Sequence, residues 1–141
     1  MKFKRMLCGV DFSKPSIAAF EAAVELARSL KAGLHVMHVI EPDPAVPYIS
    51  LHEKALAAMN ALVTPAMREG PDPRITTEVT TGNASAEILK RVRERHADLL
   101  VVGAKGLTLP EGAVFGGTAK RVMSDATCSV LAVRGGKKDG D

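Results

Sequence analysis

Residues 97–122 read ADLLVVGAKGLTLPEGAVFGGTAKRV, and this stretch decides the fold. An apolar run, Leu99-Leu100-Val101-Val102, ends at Gly103. Gly106 follows three residues later, and after nine more come Gly116, Gly117 and Thr118, where a helix-like pattern begins. An unbroken apolar run of this length suits a strand buried on both faces, as in a parallel sheet. A buried strand that empties into spaced glycines, then into a helix start, builds an anion pocket in an α/β sheet. Glycines let backbone N–H groups approach an oxyanion closely, and the helix start adds unpaired donors and a partial positive charge. The stretch therefore predicts a nucleotide-phosphate site.

Outward from this stretch, strand and helix patterns alternate. Met6 to Val10 is a short apolar run stopped by Asp11 and predicts the first strand. Ser13 is placed to cap a helix with Pro15 in its first turn; Ile17, Phe20, Val24, Ala27 and Leu30 carry it, and Gly33 marks its stop. Leu34 to Ile40 predicts the second strand, and Glu41 to Ser50, with Pro42, Pro44 and Pro47, a loop. Leu51 to Arg68 predicts a helix with Leu56, Met59, Leu62 and Val63 on one face, kinked or ended early by Pro65. Gly70-Pro71-Asp72-Pro73 predicts a turn and Ile75 to Thr81 the third strand. Gly82-Asn83 opens a third helix carried by Ile88, Leu89 and Val92. Leu99 to Val102 is the fourth strand, Ala119 to Ala126 the fourth helix with Val122 and Met123 inward, and Cys128 to Val133 the fifth strand.

This alternation predicts one α/β domain, a five-stranded parallel doubly wound sheet of order 3-2-1-4-5, Rossmann-like, with helices on both faces. The domain is expected over residues 1–135, with 136–141 a small charged tail. In this order the winding reverses between strands one and four, and ligands of such sheets bind there, beyond the carboxyl ends. Those ends carry Asp11 and Gly103, so the two most suggestive places should meet.

Composition excludes several alternatives. The 141 residues are enough for one buried core, and a net charge of +3 is too weak to argue for nucleic acid. No Trp and 4% aromatic residues leave no visible base-stacking platform. Cys8 and Cys128 sit in apolar runs without CxxC or Cys/His clustering, so they read as reduced core thiols of a cytoplasmic protein. The start, MKFKRMLCGVDF, is basic like a signal peptide, but its apolar stretch is short and stopped by Asp11. No run approaches the length of a membrane span. His35 and His38 point to opposite faces of a strand, so they make no metal site. Neither a Walker-type GxxxxGK[ST] loop nor a nucleophile elbow occurs.

Taken together, Val10-Asp11-Phe12-Ser13, His38-Val39, Ala97 through Gly106 and Gly116 through Val133 resemble the universal stress protein family over nearly the full length. The family's nucleotide-binding subgroup carries Gly-x2-Gly-x9-Gly-Ser/Thr, and Gly103, Gly106 and Gly116 fall at those spacings. The residue after Gly116 departs from the pattern: it is Gly117, with Thr118 one place later. The spacer LTLPEGAVF also holds Pro110 and Glu111 and no Lys or Arg.

The resemblance implies an ATP-binding regulatory module of the stress response without efficient catalysis. Val10, Asp11, Phe12, Ser13 and Val39 would line its nucleotide side, and Gly103, Lys105, Gly106, Gly116, Gly117 and Thr118 its phosphate side. Asp11 would contact ribose or hold Mg2+ through water, and Val39 would meet adenine through its backbone. Each has a plainer reading: a helix-starting Asp, a core Val, tight-turn glycines and a solvated Lys105. The resemblance further implies a homodimer through the Cys128–Val133 edge strand. Two other functions stay open: a dimeric interaction protein that binds no nucleotide, and a slow ATPase or phosphotransferase.

Overall fold

Met6, Leu7 and Cys8 are all buried, and the sheet is built around them. The computed structural model describes residues 2–105 and 115–135. In it β1 (Arg5–Gly9), β2 (Gly33–Ile40), β3 (Ile75–Thr81), β4 (Leu99–Gly103) and β5 (Ser129–Val133) form one parallel sheet ordered β3-β2-β1-β4-β5. Helices α1 (Lys14–Leu30), α2 (Tyr48–Leu62), α3 (Pro65–Glu69), α4 (Ala84–Glu94) and α5 (Gly117–Asp125) make the connections. This is the doubly wound order expected from the sequence.

Side chains of a strand alternate between faces, so each strand feeds two cores. Met6, Cys8, Val36 and Val101 pack with Phe20 and Val24 of α1 and Met59 of α2. Leu7, Met37 and Leu100 pack on the other face with Ile88, Leu89 and Val92 of α4 and Val122 of α5. The reversal of winding thus falls between β1 and β4, which are direct neighbours in register Gly9↔Val102. Among the described residues, no helix is long and apolar enough to cross a membrane.

Several element ends differ from the sequence reading. α1 is stopped by Lys31, whose left-handed backbone (φ 56) lets its N–H reach the Ala27 and Arg28 carbonyls; Gly33 already begins β2. α2 starts at Tyr48, inside the stretch expected to be a loop, because the prolines end at Pro47, its N-cap. The expected helix to Arg68 is two helices. Pro65 cannot continue α2 but suits a helix start, and Thr64 caps α3 with its side chain. Leu56 and Met123, expected inward, are exposed at 40% and 38%.

Candidate functional site

The turn after β1 is fixed by its own polar side chains. Asp11 Oδ1 accepts from the Ser13 backbone N–H at 3.0 Å and from the Ser13 hydroxyl. Ser13 Oγ in turn accepts from Ser16 N–H at 3.4 Å, capping α1, and the Asp11 N–H donates to Ser16 Oγ at 3.2 Å. Oδ2 of Asp11 makes no hydrogen bond among the described residues, so half of the carboxylate is free at the cleft. Between Asp11 and Ser13 the chain takes an uncommon path. Phe12 has φ 66, a left-handed backbone that non-glycine residues seldom adopt, and its ring lies 4.7 Å from that of His38.

The end of β2 leaves main-chain groups without a strand partner. In parallel pairing, alternate residues turn their N–H and C=O to the same neighbour. Gly82 N–H donates to Ile40 O, so even-numbered residues of β2 face β3; Val10 N–H donates to Met37 O at 2.9 Å, so odd-numbered ones face β1. Val39 is odd-numbered and lies one rung past the last β1 pair, Gly9↔Met37. The next rung would join Val39 N–H to the Val10 carbonyl. That carbonyl instead accepts from His38 Nδ1 at 2.8 Å. A carbonyl only accepts, so Nδ1 carries a proton. Val39 is buried and lines the cleft, with its β1-facing N–H making no bond among the described residues.

The two glycine groups differ in what they do. A Cβ on Gly103 would sit 2.8 Å from Ser16 N and 2.9 Å from Pro15 C, so the backbone of α1 occupies the place of its side chain. This glycine is required by close packing of β4 against α1. A Cβ on Gly117 would meet nothing within 4 Å among the described residues. Gly116 is the N-cap of α5 and gives it no side-chain hydrogen bond. Two backbone bonds hold this start beside β4: Ala104 N–H to Val133 O and Gly116 N–H to Ala104 O, both 2.7 Å.

These pieces border one cleft of about 740 Å³ at the carboxyl ends of β1, β2 and β4. Val10, Asp11, Phe12, Val39, Gly103, Lys105, Gly116, Gly117 and Thr118 all line it. Ser13 does not; it is buried behind Asp11 as the cap of α1. Gly106, Pro110 and Glu111 lie outside the described residues. The sequence reading gives no site role to His38 or to one face of α2, yet His38, Leu51, Lys54, Ala55 and Ala58 also line the cleft. The three- and four-residue spacing of the α2 residues just after β2 was the available signal. Among the described residues no group of three His, Cys, Asp or Glu side chains could hold a metal ion.

The other polar cluster lies away from the cleft. His35 Nε2 donates to Glu78 Oε1 at 2.8 Å, and Thr76 Oγ1 lies 2.7 Å from Nδ1. Arg91 Nε donates to both Glu78 oxygens, at 2.8 and 3.1 Å. Burial lowers the His35 pKa, outweighing the opposing bond from Glu78. Burial works to raise that of Glu78, but hydrogen bonds from Arg91 and His35 bring it below the usual value. Both cysteines are free thiols. Burial pushes Cys8 up to about 12 and raises Cys128 too, which favours the protonated thiol in both.

A doubly wound parallel sheet with a cleft at its reversal point defines a Rossmann-like α/β domain. Residues 2–134 match the universal stress protein family, and the chain belongs to it. A universal stress protein of Methanocaldococcus jannaschii is 29% identical, over 97% of this chain and 85% of its own. The universal stress protein YxiE of Bacillus subtilis is 27% identical over 94% of this chain and 99% of its own. Among solved structures, UspA of Lactobacillus plantarum superposes with a TM-score of 0.83 at 26% identity, covering 95% of this chain and 99% of that one. A universal stress protein solved in complex with cAMP shares the fold, with a TM-score of 0.67 at 23% identity over 96% of this chain and all of that one.

Proposed function

We propose that this universal stress protein is an adenine-nucleotide-binding regulatory module, with ATP and Mg2+ as its ligands. One observation carries the reading: a single cleft holds both the main chain of Val39, its β1-facing N–H unpartnered among the described residues, and the start of α5, which has no side-chain cap among them. The first offers a donor and an acceptor to a purine edge. The second offers unpaired N–H groups and a partial positive charge to phosphates. Lys105 adds charge on that side, and Asp11 Oδ2 suits a ribose hydroxyl or a water of hydrated Mg2+. The structural relative bound to cAMP supports an adenine ligand.

Turnover by this module is slow at most. No arginine lines the described wall of the cleft, and the Asp11 carboxylate is committed at Oδ1 to Ser13. The ligand acts by shifting the conformation of the cleft rim, and a twofold dimer through β5, a sheet-edge strand with Leu131 exposed, presents that change to partners. Nucleotide content of freshly purified protein tests the reading. Denatured protein should release an adenine nucleotide on ion-exchange chromatography. Protein that is empty and also fails to bind added Mg-ATP sinks it. Gly117 in place of the subgroup's Ser or Thr favours a second reading, a dimeric interaction protein that binds no nucleotide. A monomer in light scattering at micromolar concentration would remove the dimer from both.

A further inference from the structure

We propose that His38 is a positioning residue that keeps the Val39 amide free for a purine. The inference rests on the nucleotide reading above and adds what prepares the site. β1 and β2 are in register up to Gly9↔Met37, and regular continuation would give the Val10 carbonyl to Val39 N–H. His38 Nδ1–H takes that carbonyl at 2.8 Å. The Phe12 ring, 4.7 Å away, packs beside the imidazole, and the left-handed Phe12 backbone carries the chain out of the sheet there. A buried N–H left without its ladder acceptor is costly unless water or a ligand takes it. His38 therefore holds open a donor that the fold would otherwise close.

The chemistry of that donor selects a base. Val39 presents one N–H and one C=O side by side. Adenine offers an acceptor at N1 and a donor at its amino group, which complement this pair. Guanine offers a donor at N1 and an acceptor at O6, which oppose it. Discrimination between ATP and GTP thus reads the state of Val39, while binding of tripolyphosphate reads only the phosphate side.

The test compares wild type, His38→Leu and His38→Asn by calorimetry with Mg-ATP, Mg-GTP and Mg-tripolyphosphate. His38→Leu should lose about tenfold in ATP affinity and most of its preference over GTP, with tripolyphosphate unchanged. His38→Asn, whose amide can reach the same carbonyl, should recover much of both. Wild type that binds ATP while His38→Leu binds and discriminates equally well overturns the role of His38 alone. Wild type that binds no adenine nucleotide overturns the nucleotide reading and the proposal with it. Amide exchange on ligand-free wild type covers the case in which His38→Leu does not fold. Val39 should exchange far faster than Met37 and slow on adding Mg-ATP; a Val39 amide as protected as Met37 without ligand refutes the proposal.

Discussion

Two helices begin at the lips of the same cleft, and they begin differently. α1 is closed on itself: Ser13 caps Ser16, Asp11 holds Ser13, and Ser16 Oγ returns a bond to the Ser13 carbonyl at 3.1 Å. α5 starts from Gly116 with no side-chain cap, and Gly117 and Thr118 are exposed at the cleft. Every helix start has orphan N–H groups. At α1 the chain's own side chains answer some of them; at α5 no side chain among the described residues does. One lip is scaffold, and on the proposed function the other is receptor. The difference lies in a single residue type at each N-cap, serine against glycine.

The strongest way to break this comparison is to crowd the scaffold lip. Gly103→Val places a branched side chain where Ser16 N and Pro15 C already stand within 2.9 Å of the first carbon. Those atoms are backbone and cannot swing aside. The expected cost is about 3 kcal/mol, read by urea unfolding. Stability within 0.5 kcal/mol of wild type would mean that α1 shifts freely and is no scaffold.

A second change tests whether stability and binding separate. Arg91 lies away from the cleft, and Arg91→Ala strips the half-buried Glu78 carboxylate of its charged partner. We expect a loss of about 2 kcal/mol with unchanged nucleotide affinity. The same cluster sets an acid limit. His35 has a lowered folded pKa, so below the ordinary 6.5 the unfolded chain takes up the proton first and stability falls. Glu78, also lowered, contributes fully above the ordinary 4.5, and that share is lost as pH drops through its folded value. Thermal midpoints should decline in these two windows, and His35→Gln should flatten the upper one. An upper window that persists in His35→Gln would assign it to other groups.

Ser13→Ala works on the cap itself. It removes the acceptor for Ser16 N–H and the hydroxyl bond to Asp11, and should cost about 1 kcal/mol. Asp11 keeps only the bond from the Ser13 backbone, so Mg-ATP affinity should also drop a few-fold. An intact melting temperature would show that the Asp11–Ser13 arrangement does not stabilise the α1 start.

The sequence made the scaffold lip legible because its signals are local. Asp11, Ser13 and Pro15 form a helix-start pattern, and the apolar runs around Cys8, Val36 and Val101 mark strands without reference to anything distant. The same locality put Val10, Asp11, Gly103 and Thr118 in one cleft once the strand order was fixed. What stayed hidden depends on register. That Val39 falls one rung past its partner, and that His38 takes the Val10 carbonyl, follow from where β1 stops relative to β2. Gly103 and Gly117 look alike in sequence, and only packing reveals that the side-chain place of one is filled by α1 while the other meets none of the described residues.

The finest change falls on the receptor lip, at Gly117. It is the first residue of α5, and Gly116 before it is extended, with φ −77 and ψ 167. Alanine there meets no atom of the described residues and restricts the unfolded chain, so Gly117→Ala should gain about 0.5 kcal/mol. Proline is equally well placed: the first helical turn tolerates it, and an extended preceding residue is what it requires. Gly117→Pro should therefore fold with near wild-type stability while deleting one N–H from the cleft. Alanine keeps that N–H and proline does not, so the pair isolates a single donor. If α5 receives phosphate, proline weakens Mg-ATP about tenfold while alanine changes it less than about threefold. Equal affinity in both variants would mean that the Gly117 amide donates to no phosphate, and the lip would be open for some other reason than the ligand.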